Sequence, residues 1–169
     1  MLKPKIAAAL NTQIGNEFTA AYNYLAMAGW FEFKNWSGFA RWMYVQREEE
    51  VTHAMKLFKY VCDRGGLVEL PALGKPAVAY RDAHEIFARA FETEKVNSKA
   101  INDLYALALA EKDYMTQSFL KWFLDEQVEE ENITDEVEAL LKVAGKDAGA
   151  LVMLNKLLGE RAGGKAGGG

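Results

Sequence analysis

The chain has 169 residues, half of them hydrophobic, which suits a single domain with a sizeable core. Its 20 basic and 24 acidic residues give a net charge of -4, which argues against nucleic acid or an anionic membrane as a partner. Because no run reaches the roughly 18 uncharged apolar residues of a membrane span and the N-terminus lacks a secretory signal, we expect a cytoplasmic protein.

Helical periodicity runs through the chain, and no alternating strand pattern longer than a few residues is present. The first helix is predicted to begin at Pro4, a residue tolerated in the first turn, and to run to about Phe33. The second helix follows Ser37 as its N-cap and ends at Gly65-Gly66, a typical C-terminal stop. Near that end lies the single cysteine, Cys62, which we expect to be a small buried apolar residue.

The helical pattern breaks over residues 67–81, which contain two prolines and a glycine. This segment is long enough to be a crossover connection rather than a tight turn. Asp82 and Glu85 then resemble a capping box, Asp-x-x-Glu, which predicts the start of a third helix. That helix is expected to run to about Ala110.

A fourth helix is predicted to start near Asp113 and to stop at Gly145, and a short fifth covers about residues 147–158. Together these elements predict an all-α fold, a four-helix bundle with a long crossover between helices 2 and 3 and a short fifth C-terminal helix. We expect one domain over residues 1–161. The Gly-rich tail, residues 162–169, is expected to be disordered or an addition to the natural chain.

The apolar stripe of each long helix is interrupted near its middle by an ionisable or amide side chain. The interruptions are Glu17 in the first helix, Glu50 and His53 in the second, Glu94 in the third, and Gln127 and Glu130 in the fourth. The carboxyl positions lie within about two residues of the helix midpoints, so helices packed side by side bring them to one depth.

Carboxylates buried at one depth repel one another, and an isolated buried carboxylate costs several kcal/mol. Bound divalent cations would remove that conflict. Glu50 and His53 form a Glu-x-x-His pair on one helical face, and together they offer oxygen and nitrogen donors to a transition metal.

Other interpretations of these residues stay open at this stage. The carboxylates can be charged residues at helix edges that reach solvent, or they can form a hydrogen-bonded polar core that sets helix register without metal. Tyr24, two turns beyond Glu17, is either a phenol that acts near the site or a core tyrosine with a satisfied hydroxyl. Glu129 lies in an acidic run that is typical of a solvated helix face.

The order and spacing of the motifs resemble the bacterial and archaeal non-haem ferritins, members of the ferritin-like di-iron carboxylate family. The resemblance covers roughly residues 4–158. The motifs that carry it are Glu17 with Tyr24, Glu49-Glu50-x-x-His53, Glu94, and Glu126-Gln127-x-Glu129-Glu130. The resemblance implies a ferritin-like four-helix bundle with its short fifth helix around a four-fold axis.

The resemblance also implies a role for each motif residue. Glu17, Glu50 and His53 would hold one iron, and Glu50 would bridge to a second iron bound by Glu94 and Glu130. Gln127 would lie beside the pair and orient dioxygen or a bound water. A third iron would be held by Glu49, Glu126, Glu129 and Glu130, and Tyr24 would be an electron donor. The catalytic set is then Tyr24, Glu50, His53 and Gln127.

The implied function is iron storage and detoxification by a ferroxidase. Fe(II) would be oxidised by O2 or H2O2, and ferric oxyhydroxide would be deposited inside a homo-oligomeric shell of twenty-four subunits. Glu94 is followed by Lys95-Val96-Asn97, so the second Glu-x-x-His of bacterioferritins and di-iron oxygenases is missing. Val51 stands where bacterioferritins carry a haem-binding methionine, so no haem is expected.

Two functions from other classes compete with this interpretation. A non-storage di-iron redox enzyme, such as a rubrerythrin-like peroxidase or an oxygenase, is disfavoured by the missing second Glu-x-x-His and by the absence of a Cys-x-x-Cys motif. A metal-free helical bundle that serves as a scaffold is the third possibility.

Overall fold

The computed structural model describes residues 2–161, and these form five helices and no strand. Their bounds are α1 Pro4–Phe33, α2 Ser37–Asp63, α3 Ala83–Ala110, α4 Tyr114–Ala144 and α5 Ala148–Arg161. The predicted all-α fold is confirmed, a four-helix bundle with a crossover between α2 and α3 and a short C-terminal helix. The predicted Gly-rich tail, residues 162–169, lies outside the described residues.

Local chemistry explains where the long helices start. The Asp82 side chain accepts a hydrogen bond from the Glu85 backbone N–H at 2.9 Å, and the Glu85 carboxylate accepts one from the Arg81 N–H at 2.9 Å. The Asp113 carboxylate accepts one from the Thr116 N–H at 3.1 Å. Both aspartates therefore act as N-caps, at the two places where the sequence predicts that a helix starts.

The start of α2 differs from the prediction by one residue. Ser37 lies inside the helix, and Trp36 is the N-cap without a capping side-chain bond. The Trp36 ring stacks on Phe39, with centroids 5.5 Å apart, and its carbonyl accepts from the Ala40 N–H at 2.9 Å. Aromatic packing of Trp36 thus accompanies the earlier start, and the hydroxyl of Ser37 makes no cap.

Helix α1 packs mainly on α2, and α3 packs on α4. Two apolar clusters fill the interior. One cluster surrounds Phe31, Phe39 and Phe87, whose ring centroids lie between 5.2 and 5.8 Å apart. The other, nearer the opposite end, contains Leu57 and Ile101. A layer of polar side chains separates the two clusters.

Helix α5 packs closely against the start of α2. A Cβ atom added to Gly38 would lie 1.8 Å from the carbonyl oxygen of Asn155, so only glycine permits this approach. The Asn155 side chain also accepts from the Phe39 backbone N–H at 2.9 Å. Leu154 and Leu158 are buried within the chain itself and join the first apolar cluster.

Two further observations bear on the sequence analysis. Cys62 is exposed, which makes the prediction of a buried residue wrong, because it lies on the outer side of α2 while its neighbour Val61 packs inward. Within residues 2–161, none of the helices is both long enough and apolar enough to cross a membrane.

Candidate metal centre

The polar layer is built from buried carboxylate, amide, hydroxyl and imidazole side chains of all four long helices. Its members are Gln13 and Glu17 of α1, Gln46, Glu50 and His53 of α2, Glu94, Asn97 and Ser98 of α3, and Gln127 and Glu130 of α4. Glu17, Glu50, Glu94 and Glu130 are each 0% exposed. The alternative in which these carboxylates reach solvent at helix edges is therefore wrong.

Glu17, Glu50 and His53 form a three-ligand group in which one donor atom of each lies within 4.8 Å of the others. The Nδ1 atom of His53 lies 3.8 Å from Oε2 of Glu50. Neither oxygen of Glu50 accepts a hydrogen bond from an N–H group or a hydroxyl of the described residues. Two carboxylates and an imidazole are a donor set that suits a transition metal.

A second group of the same size consists of His53, Glu126 and Glu130. The Nε2 atom of His53 lies 4.0 Å from Oε1 of Glu126, so the two ring nitrogens face different carboxyl groups. Trp122 and Phe123 pack edge-on against the imidazole, with centroids 5.4 and 6.1 Å away, and these contacts hold the ring in place.

Several predicted site residues lie outside these two groups. Glu129 is exposed and Glu49 is half-buried, and among the described residues neither joins a three-ligand group. Glu94 is buried, but its Oε1 atom accepts a hydrogen bond from the Tyr24 hydroxyl. Over residues 2–161, the set of Glu50, Glu94 and Glu130 expected for a second iron does not form a compact group.

Burial and like charge perturb the acid–base properties of the layer. Burial, together with the negative charges of Glu94 and Glu17, raises the pKa of Glu50 well above its usual value. Burial also raises the pKa of Glu94 to about 7, although the hydrogen bond from Tyr24 opposes this shift. Burial lowers the pKa of His53, which favours the neutral imidazole that binds metal.

The pKa of Tyr24 is raised well above its usual value by burial and by the neighbouring charges of Glu94 and Glu50. The phenol therefore stays protonated and donates its hydrogen bond to Glu94. Tyr24 is thus a core tyrosine whose hydroxyl is satisfied by a carboxylate of the layer, and a chemical role for the phenol stays a prediction.

Sequence reasoning missed the amides that hold the carboxylates. The Gln13 side chain donates to Oε1 of Glu17 at 2.9 Å, and the Gln46 side chain donates to Oε2 of Glu130 at 2.8 Å. A usable signal existed, because each glutamine lies four residues before a site glutamate, Glu17 or Glu50, and shares its helical face.

Taken together, the fold and the layer define a four-helix bundle with a buried, carboxylate-rich layer whose donor groups suit metal ions. A family model described as a ferritin-like domain matches residues 7–143. The chain belongs to the ferritin family.

Relatives of known sequence and structure agree with this assignment. The chain is 37% identical over 161 residues to a bacterial non-heme ferritin of Staphylococcus aureus. The alignment covers 95% of this chain and 97% of that protein. It is 33% identical over 159 residues to a probable bacterial non-heme ferritin-like protein of Haemophilus influenzae. This alignment covers 94% of this chain and 96% of that protein. The predicted resemblance is confirmed.

An open pore ferritin from the archaeon Archaeoglobus fulgidus has a similar structure, with a TM-score of 0.93, 40% identity and coverage of 94% of this chain and 98% of that chain. An engineered closed form of the A. fulgidus ferritin gives the same TM-score and identity, with coverage of 94% and 97%. Family membership supports a general role in the storage and oxidation of iron.

Proposed function

We propose that the protein is a ferroxidase that stores iron, oxidising Fe(II) with O2 or H2O2 at a di-iron site inside each subunit. The observation that carries this proposal is the buried group of Glu17, Glu50 and His53. No N–H group or hydroxyl of the described residues donates to the Glu50 carboxylate oxygens, and Glu50 lies among other acidic groups. A divalent cation would neutralise the group and replace the missing hydrogen bonds, and iron fits the oxygen-rich donor set.

In this proposal the iron ions are the substrate. Glu17, Glu50 and His53 bind the first Fe(II), and Glu50 bridges to a second. Glu94 and Glu130 form no compact group with Glu50 among the described residues, so in this proposal their carboxyl groups move closer together when the second ion binds. Gln127, buried beside Glu94, orients the oxidant or a water. The two Fe(II) ions lose one electron each, and these electrons with two protons reduce O2 to H2O2 or H2O2 to two waters.

The ligand set favours oxidation and release of the product. Hard carboxylate oxygens stabilise Fe(III), whereas neutral imidazole suits Fe(II), and the layer contains one histidine among many glutamates. Tyr24 is our proposed electron donor, because its phenol is bound to Glu94. A third site at Glu49, Glu126, Glu129 and Glu130 then receives Fe(III) on its way to the mineral, and His53 lies next to that route.

We infer that twenty-four copies enclose the mineral cavity and that the protein acts in the cytoplasm. The α5 helix exposes Val152, Met153 and Leu157 at 57%, 69% and 41%, an apolar face that a neighbouring subunit would cover. Acidic residues that face the cavity would collect cations and start ferric oxyhydroxide growth.

Fe(II) oxidation, followed by absorbance, tests the site. We expect Glu50→Ala and His53→Ala to lose at least about tenfold in rate, because each removes a metal ligand. Glu48→Ala and His84→Ala are matched controls, since Glu48 is exposed on α2 and His84 instead contacts the Gly145 carbonyl. Rates equal to the parent's for both site variants would refute the assignment.

A further inference from the structure

Asn97 occupies an informative position in α3, three residues after Glu94. Di-iron carboxylate bundles place a Glu-x-x-His motif on each of two helices, and in this chain the second motif ends in asparagine instead of histidine. Asn97 is 5% exposed, although asparagine is usually a surface residue. Its side chain therefore needs partners inside the layer.

Asn97 contacts the proposed iron ligand of α1 directly. Its Nδ2 atom donates to Oε2 of Glu17 at 3.0 Å, and its Oδ1 atom accepts from Nε2 of Gln13 at 2.6 Å. The same nitrogen of Gln13 donates to Oε1 of Glu17 at 2.9 Å. Both oxygens of Glu17 are thus held by amides, in contrast to those of Glu50.

The Asn97 side chain also contacts a residue of α4. Nδ2 of Asn97 lies 3.5 Å from Oε1 of Gln127, whose own Nε2 donates to the Glu94 carbonyl at 3.3 Å and to the Ser98 hydroxyl at 3.2 Å. Only one orientation of the Asn97 amide satisfies these contacts, because Gln13 presents a donor and Glu17 presents acceptors. Asn97 therefore joins an α1 carboxylate to an α4 amide.

We propose that Asn97 is a positioning residue that holds Glu17 in the orientation needed for metal binding. A neutral amide can do this without a competing positive charge, and it leaves the outer lone pairs of the carboxylate available to a cation. This inference rests on the proposed function, since it assigns Asn97 to the same metal site.

The surroundings of Asn97 allow a test by chemical rescue. Asn97 lines a cavity of about 500 Å³ between α1, α3 and the crossover, together with Asn16, Asn23 and Thr93. Asn97→Ala removes a carboxamide from the wall of this cavity. Formamide, which has that same carboxamide group, is small enough to reach the gap and to donate to Glu17.

The experiment measures anaerobic Co(II) binding by visible absorption, because Co(II) reports its ligands and is not oxidised here. We expect Asn97→Ala to weaken binding of the tightest Co(II) by 10- to 100-fold, the range typical for loss of an outer partner of a metal ligand. Formamide should restore binding in this variant and should leave the parent unchanged. The matched control is Asn102→Ala, an exposed asparagine of the same helix.

A double-mutant cycle distinguishes the positioning of Glu17 by Asn97 from a general loss of structure in the Asn97→Ala variant. In a Glu17→Ala background, adding Asn97→Ala should have no further effect on Co(II) affinity. An unchanged affinity in Asn97→Ala, a loss that formamide does not reverse, or a full further loss in the Glu17→Ala background would each overturn the inference. If the parent itself bound no Co(II) and oxidised no Fe(II), the proposed function would fail instead.

Discussion

Three carboxyl groups of the polar layer differ in the hydrogen bonds they receive. Glu17 accepts from two amides, Glu94 accepts from the Tyr24 hydroxyl through one oxygen, and Glu50 accepts from no N–H group or hydroxyl among the described residues. Glu50 shares a hydrogen bond with Glu17 only when one of the two is protonated. The need for a cation is therefore greatest at Glu50, at the centre of the layer.

The raised pKa of Glu94 makes the free energy of unfolding depend on pH, and this dependence can be measured. The Glu94 carboxyl group has a pKa near 4.5 in the unfolded chain and about 7 in the metal-free fold. The folded state therefore binds the extra proton between these values, and the free energy of unfolding falls as the pH rises through this window. We expect Glu94→Gln to abolish this decrease. Relative to the parent, the free energy of unfolding of the variant should therefore rise by about 2.5 kcal/mol between about pH 5 and about pH 8.

Unfolding of metal-free protein from about pH 5 to about pH 8 measures this difference. Glu92→Gln, an exposed change on the same helix, is the matched control. With saturating Co(II), the parent should instead be more stable than Glu94→Gln, because only the parent has the Glu94 carboxylate as a metal ligand. A difference between Glu94→Gln and the parent that does not vary with pH would contradict the prediction.

At this scale the sequence predicted the charged groups and Gln127, but it missed the roles of the amides of Gln13, Gln46 and Asn97. A lone glutamate such as Glu94 is visible because it breaks an apolar stripe on its own helix. The position of Asn97, three residues after Glu94, is visible in the sequence, but its contacts are not, since they include Gln13, a residue 84 positions away whose proximity arises only from packing. The effect of Asn97 on Glu17 could not be inferred from either helix alone.

The helices themselves were predictable because their end signals are local. The caps of α3 and α4 depend on Asp82 and Asp113, each bonded to a backbone N–H three residues on. The start of α2 at Ser37 and the extension of α5 to Arg161 differed from prediction, by one and about three residues, as helix ends often do.

The docking of α5 gives a prediction about a whole element. Gly38→Ala places a Cβ atom 1.8 Å from the Asn155 carbonyl oxygen, which is backbone and cannot move unless α5 shifts. We expect a loss of at least about 1–3 kcal/mol in stability and a displaced α5, while Co(II) binding in the polar layer persists. Thermal unfolding and Co(II) titration measure the two effects.

Gly29→Ala is the matched control for that change. Gly29 also lies in a helix, but apart from its chain neighbours and the nearby backbone of that helix, no atom of residues 2–161 lies within 4 Å of its added Cβ. It should stabilise the protein by about 0.5–1 kcal/mol, because alanine has the higher helix propensity. If both alanines had the same effect, the close approach of α2 and α5 would be irrelevant to stability.

Across the whole molecule, the apolar clusters and the proposed metal site occupy different layers. The apolar cluster around Phe31 and the apolar cluster around Leu57 supply the hydrophobic stabilisation on either side of the acidic layer. This arrangement lets the fold tolerate buried carboxylates, because helix packing at both ends keeps Glu17 and Glu50 at one level. The sequence predicted that common level from the helix midpoints, although it could not predict the contacts of α5.

The apolar face of α5 leads to a prediction about assembly. Twenty-four chains of 18.9 kDa give a shell of about 450 kDa, which size-exclusion chromatography with light scattering distinguishes from a dimer. Met153 is 69% exposed within its own chain, so Met153→Glu should leave the helical fold intact. In a shell, however, the new charge would be buried against neighbouring subunits at a cost of several kcal/mol.

We therefore expect Met153→Glu to shift the protein to smaller species that still bind Co(II) but no longer retain a ferric mineral. Val96→Glu, the same change at a 63% exposed position on α3, should preserve the large assembly and serves as the control. A Met153→Glu protein that still eluted at about 450 kDa would show that this face of α5 is not a subunit contact. A parent that eluted as a dimer would instead favour a non-storage redox enzyme, because without an enclosed cavity Fe(III) would have no protected space in which to mineralise.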